Sequence, residues 1–110
     1  MSVLLELEEM TDKMNNQPEY IANEKDRVFQ LDLKESGSIQ IVLCDGKVSV
    51  IEGEADDPAV KLRMSDSHFS SLLKGDLNTT VAFMTGGLKV EGNVGLALKL
   101  QEILKKYQSL

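Results

Sequence analysis

The chain has 110 residues, 42% hydrophobic and 27% charged, which suits one globular domain with a single core and excludes a large catalytic scaffold. A net charge of −6 argues against a nucleic-acid partner, no stretch reaches the roughly 20 apolar residues that span a bilayer, and the start runs into Glu6, Glu8 and Glu9 without the basic region of a secretory signal. The single cysteine, Cys44, excludes an internal disulfide and a thiolate metal cluster and points to a reducing compartment, so a cytoplasmic protein is expected.

Ser2 is placed to cap a first helix in which Val3, Leu7, Met10 and Met14 recur at helical spacing. Asn15-Asn16-Gln17-Pro18 stops it. From Arg27 the period becomes two, with Phe29, Leu31 and Leu33 alternating with Gln30, Asp32 and Lys34 on a strand. After the Gly37 turn, Ile39, Ile41 and Leu43 repeat the pattern, and Asp45-Gly46 signals a two-residue hairpin into residues 47–51. These three strands form an antiparallel meander. The acidic loop Glu52-Gly53-Glu54-Ala55-Asp56-Asp57-Pro58 ends it, and Val60, Leu62 and Met64 begin a fourth strand. Ser65 and Asp66 suit a helix start, Phe69, Leu72 and Leu73 its apolar face, and Gly75 its stop. A short helix from Asn78 carries Val81, Phe83 and Met84 up to Gly86-Gly87, residues 88–91 make a brief fifth strand, and Asn93 caps a last helix over residues 94 to about 107.

This order predicts an α+β fold, a five-stranded, mostly antiparallel sheet with helices packed on one face and an apolar space between the layers. Five Met among Leu, Ile and Val, with only five aromatic residues, give an interior that can repack around an apolar guest; a plain aliphatic core fits the composition equally. On the last helix Leu96, Ala97, Leu100, Ile103, Leu104 and Tyr107 form one stripe, while Val94 and Leu98 fall on the far side and need a cover.

Candidate catalytic groups are few. Asp66, Ser67 and His68 are consecutive and cannot converge on one reacting centre as a triad does. Cys44 has no basic neighbour in sequence to activate it, and the acidic loop lacks calcium-loop spacing. Glu91-Gly92-Asn93-Val94-Gly95 has the glycines of a phosphate-binding turn but neither the dinucleotide fingerprint nor a following Lys-Ser or Lys-Thr, which favours a turn closed by Asn93. No catalytic residue, metal site or cofactor is expected.

Three blocks stand out together: Val60-Lys61-Leu62-Arg63-Met64 running into Ser65-Asp66 and the helix ending at Lys74-Gly75; Ala82-Phe83-Met84; and Leu88-Lys89-Val90-Glu91-Gly92-Asn93 with Gly95-Leu96-Ala97-Leu98-Lys99-Leu100. On these blocks the segment from residue 55 onward resembles the sterol carrier protein type 2, or sterol-binding domain, family of intracellular lipid carriers. Residues before it match that family only in element order. Gly86 matches the family's helix-ending glycine, but Gly87 stands where a basic residue is usual, and the final Gln108-Ser109-Leu110 lacks the peroxisomal Ser-Lys-Leu.

The resemblance implies an apolar tunnel between sheet and helices, no catalytic apparatus, and non-enzymatic binding or transfer of a fatty acid, acyl derivative, sterol or similar ligand. Phe69, Leu72, Leu73, Val81, Phe83, Met84, Leu88, Leu96, Leu100 and Leu104 are then the expected ligand-binding residues. An accessory module on the same fold, dimerising through Val94 and Leu98, is the alternative. Residues 1–60 carry 14 acidic and 5 basic side chains, residues 61–110 carry 4 and 7. If the two regions face different ways, Lys74, Lys89, Lys99, Lys105 and Lys106 give weak contact with anionic membranes.

Overall fold

A computed structural model describes residues 3–54 and 57–109; the Ser2 cap and the Ala55-Asp56 tip of the acidic loop lie outside the described residues. The elements run α1 (Val3–Asn16), a 3-10 turn (Pro18–Tyr20), β1 (Arg27–Leu33), β2 (Gly37–Cys44), β3 (Lys47–Glu52), β4 (Val60–Met64), α2 (Asp66–Leu73), α3 (Thr79–Met84), β5 (Leu88–Gly92) and α4 (Val94–Gln108). The order is the one expected from the sequence. Caps explain several boundaries: the side chains of Ser65, Asn78 and Asn93 accept from the backbone N–H of His68, Val81 and Gly95 at 3.0, 3.1 and 2.9 Å. The hairpin at Asp45-Gly46 has φ of +53° and +72°, the left-handed pair a two-residue turn requires. At the end of α1, Asn15 bonds both backbone groups of Val48 at 2.8 and 2.9 Å, tying that helix to β3.

The sheet order is β3-β2-β1-β4-β5. All its neighbouring pairs are antiparallel except β1–β4, where Phe29 stands beside Val60 and Leu33 beside Met64 in parallel register. The chain therefore leaves the meander at one edge and returns on the other side of β1. One face of the sheet presents Phe29, Leu31, Leu33, Ile39, Ile41, Leu43, Val48, Val60, Leu62, Met64 and Leu88, all buried, to the apolar stripes of the helices. α1 packs on β3 and α2, α4 on β4, β5 and α2, and α3 on β5 and α4. The other face is polar but not uniformly wet. Gln30 and Gln40 are fully buried there, with Gln40 Nε2 donating to Gln30 Oε1 at 2.7 Å and Gln30 Nε2 to Asp32 Oδ1 at 3.1 Å. Among the described residues, no helix is long and apolar enough to cross a membrane.

Candidate functional site

Between sheet and helices lies an apolar cavity of about 10 Å³. Leu7, Thr11 and Met14 of α1, Ile21, the strand residues Phe29, Ile41, Leu43 and Val48, and Leu100, Ile103 and Leu104 of α4 form its walls. The one polar wall residue, Thr11, donates its hydroxyl to the Glu8 carbonyl at 3.0 Å, which leaves no polar group aimed inward. This is the space of about one water, against the roughly 300–1,000 Å³ of a ligand pocket. The space expected between sheet and helices is thus narrow in this structure, with Leu100, Ile103 and Leu104 of α4 and Phe29, Ile41 and Leu43 of the sheet sharing its wall.

The expected ligand residues divide into three groups. Leu100 and Leu104 are in the cavity wall. Phe69, Leu72, Leu73 and Leu88 are buried in the same core but away from the cavity, and Leu96 is half-buried against it. Val81, Phe83 and Met84 lie outside the cavity wall and are 53%, 45% and 79% exposed. The cause is phase. α3 is six residues long, and its start at the Asn78 cap turns Thr79 and Ala82 inward, three residues apart, so the larger apolar neighbours face out. Eight of the eleven wall residues precede residue 50, in the half for which the resemblance gave only element order. The signals for them were the alternation through Phe29, Ile41 and Leu43 and the α1 spacing of Leu7 and Met14.

Polar contacts clamp α4 over the cavity. Fully buried Tyr107 donates its hydroxyl to the Gln17 carbonyl at 2.6 Å and accepts from Tyr20 N–H at 3.3 Å, while its ring meets that of Tyr20 edge-on at 5.4 Å. Lys99 pairs with Glu24 at 3.0 Å, Lys13 Nζ donates to the Tyr107 carbonyl at 3.0 Å, and Lys106 sits over the Tyr20 ring. Every one of these joins the C-terminal helix to the α1–β1 region. Burial pushes the Tyr107 phenol above its ordinary pKa.

Charge is less segregated than the composition suggested. Lys99 and Lys74 are held by Glu24 and Glu6 from the acidic half, at 3.0 and 3.8 Å, so two of the five lysines expected to face a membrane are already paired. Val94 and Leu98 are 45% and 43% exposed, as the α4 stripe predicts.

The remaining reactive side chains have structural partners. Ser65 Oγ lies 2.9 Å from His68 Nδ1 as part of the α2 cap. The Asp66 carboxylate turns away from that pair to accept the backbone N–H groups of Glu35 and Ser36, at 3.2 and 3.1 Å, and the Ser36 hydroxyl. Asp26 and Asp45 beside Cys44 raise its thiol pKa, the reverse of activation. The glycine turn at 92–95 is closed by Asn93 receiving the Gly95 N–H.

Similarity to known proteins follows the same architecture. The chain is 42% identical over 77 residues to hydroxysteroid dehydrogenase-like protein 2 of Xenopus tropicalis, a stretch that is 69% of this chain but 18% of that protein. It is 40% identical over 85 residues to a fatty acid-binding protein of Yarrowia lipolytica, 77% of this chain and 60% of that one. It thus spans less than two thirds of either relative. The solution structure of sterol carrier protein domain 2 of Helicoverpa armigera superposes with a TM-score of 0.75 at 24% identity, covering 98% of this chain and 89% of that one, a likeness of fold. Residues 6–105 match the SCP-2 sterol transfer family, and the chain belongs to that family.

Proposed function

We propose that the chain is a non-enzymatic lipid carrier that holds a fatty-acyl or similarly slender apolar ligand between the sheet and helices α1 and α4. The observation that supports this reading is the cavity wall itself, apolar on every side and continuous with the α4 stripe. Its 40% identity to a fatty acid-binding protein favours an acyl ligand. Burying about 11 methylenes at about 0.8 kcal/mol each gives roughly 9 kcal/mol, which leaves micromolar binding before ordering and opening costs are subtracted. Because the narrow cavity admits only a water-sized guest, loading requires α4 to separate from the sheet. Leu100, Ile103 and Leu104 then exchange helix–sheet contacts for contacts with the chain of the ligand, and Leu72, Leu73, Leu88, Leu96 and Phe69 shift as the second layer. On this reading the protein works in the cytoplasm, consistent with its lone, unactivated Cys44.

Native mass spectrometry of gently purified protein, followed by titration with a fluorescent fatty acid, tests the carrier reading. Retained lipid mass and saturable binding with loosened hydrogen-exchange protection along α4 are expected. A lipid-free protein with no saturable binding would overturn it.

A second reading is a dimerising or membrane-touching module, favoured by Val94 and Leu98 on α4 and Val81, Phe83 and Met84 on α3, all exposed. Sedimentation equilibrium and vesicle co-sedimentation distinguish it. A monomer that ignores vesicles would remove this reading.

A further inference from the structure

The structure holds a second concavity that shares no wall residue with the apolar cavity. The ends of β1 and β4, the start of α2, the α3–β5 turn and Lys89 of β5 enclose a surface groove of about 570 Å³. Three cations line it, Lys34, Arg63 and Lys89, against one carboxylate, Asp32. Strand register places Asp32, Arg63 and Lys89 side by side across β1, β4 and β5. Arg63 is therefore directly opposite Lys89 in an antiparallel pair, an arrangement of like charges that weakens a sheet unless an anion lies between them.

Asp32 does not neutralise the groove. Its Oδ1 already receives Gln30 Nε2 and the Ser38 hydroxyl, at 3.1 and 2.8 Å, and only Oδ2 is directed to Arg63, at 3.6 Å. Glu91 reaches Arg63 at 4.0 Å, and both of those side chains are more than half exposed. Among the described residues, neither Lys34 nor Lys89 has a carboxylate at ion-pair distance.

The two glycines of the α3–β5 turn, Gly86 and Gly87, and the single histidine, His68, also line the groove. A Cβ on Gly87 would stand 3.1 Å from His68 Cε1 and 3.4 Å from Nε2, so glycine at this position lets the imidazole lie against the turn. Ser65 Oγ accepts the His68 backbone N–H at 3.0 Å and lies 2.9 Å from Nδ1, which engages that nitrogen and leaves Nε2 beside Gly87.

We propose that this groove binds a phosphate-bearing group, with Arg63 and Lys89 as its principal cations, Lys34 at its side and the His68 imidazole beside them. Three cations against one carboxylate complement a dianion, and the planar Arg63 fork suits phosphate oxygens. The phosphate could belong to a soluble ester or to a lipid headgroup, and two arms separate these sources.

Backbone amide NMR of the full chain is followed during addition of glycerol phosphate at constant ionic strength, and vesicle co-sedimentation is measured with phosphatidylcholine alone and with added phosphatidic acid. Saturable shifts centred on Gly87, Lys89 and His68 are expected. Arg63→Gln with Lys89→Gln should weaken the soluble ester about tenfold or more, whereas Lys47→Gln with Lys105→Gln, which removes the same charge elsewhere, should stay within about twofold. Groove-dependent binding of the ester assigns a soluble ligand, and groove-dependent binding only to phosphatidic acid vesicles assigns a headgroup. Shifts that never saturate and spread over all lysines, together with vesicle binding that ignores Arg63 and Lys89, would overturn the proposal, as would equal losses in the two double variants.

Discussion

Replacing Tyr107 by Phe removes one oxygen from the clamp on α4 and keeps the ring that fills the core. The hydroxyl donates to Gln17 at 2.6 Å, a short bond, and accepts from Tyr20 N–H at 3.3 Å, a long one that adds little. The net worth of the first bond is about 1 kcal/mol, and water can pair the carbonyl of exposed Gln17, so Tyr107→Phe should cost about 1 kcal/mol. In a domain of this size that lowers Tm by about 4 °C, or the urea midpoint by about 0.5 M if the slope is about 2 kcal/mol per molar. Far-UV circular dichroism is the assay of choice, since the chain has no tryptophan. Alkaline pH gives an independent signature. The folded phenol keeps its proton above the ordinary value of 10.0, so the stability this provides is fully present below pH 10.0 and lost as pH rises through the folded value. The difference between wild type and variant should therefore shrink above pH 10.0. A cost below about 0.5 kcal/mol, the scatter of neutral surface changes, would show that water replaces the hydroxyl and that it clamps nothing.

Leu100→Trp overfills a cavity of about 10 Å³, and is expected to cost about 1–3 kcal/mol and to weaken fluorescent fatty acid binding; unchanged affinity in a folded variant would make Leu100 ordinary core. For Asp66, burial pushes the carboxyl pKa up, but the Ser36 hydroxyl and the Ser36 and Glu35 N–H groups outweigh it and hold the value below normal. Its contribution is present above the unfolded pKa of about 3.9 and lost as pH falls through the folded value, so Asp66→Asn should lose about 1 kcal/mol at neutral pH and show a flatter acid limb. Identical acid unfolding of the two proteins would contradict this. Glu6→Gln with Glu24→Gln frees Lys74 and Lys99 and should raise binding to anionic vesicles by about 1 kcal/mol per lysine, read by co-sedimentation at low and high salt; no gain would show that those lysines face away from the bilayer.

Element order was legible because it is written locally. Ser65, Asn78 and Asn93 announce helix starts with their own side chains, Asp45-Gly46 announces its hairpin, and the α4 stripe separates buried Leu100 and Leu104 from exposed Leu98. What was not legible depends on partners distant in sequence. Gln30 and Gln40 stand between apolar strand residues in sequence, yet register brings their amides together and buries both. Val81, Phe83 and Met84 were expected at the ligand from the resemblance, and six residues are too few for a helical period to show that their arc is exposed. The groove was invisible for the same reason, since Lys34, Arg63, His68 and Lys89 become neighbours only when β4 is laid beside β1.

That parallel β1–β4 seam also sets an order in time. Strands β1 to β3 are complete by residue 52, but the second edge of β1 stays bare until Val60–Met64 has been made, so an emerging chain presents an open edge of Phe29, Leu31 and Leu33 during the interval. The acidic excess of residues 1–60 is then expected to keep growing chains apart by mutual repulsion before the edge is sealed. A fragment stopped at residue 54 is expected to stay dispersed at neutral pH and to self-associate near pH 4, where its carboxylates take up protons; light scattering that is the same at both values would show that repulsion is not what protects the edge.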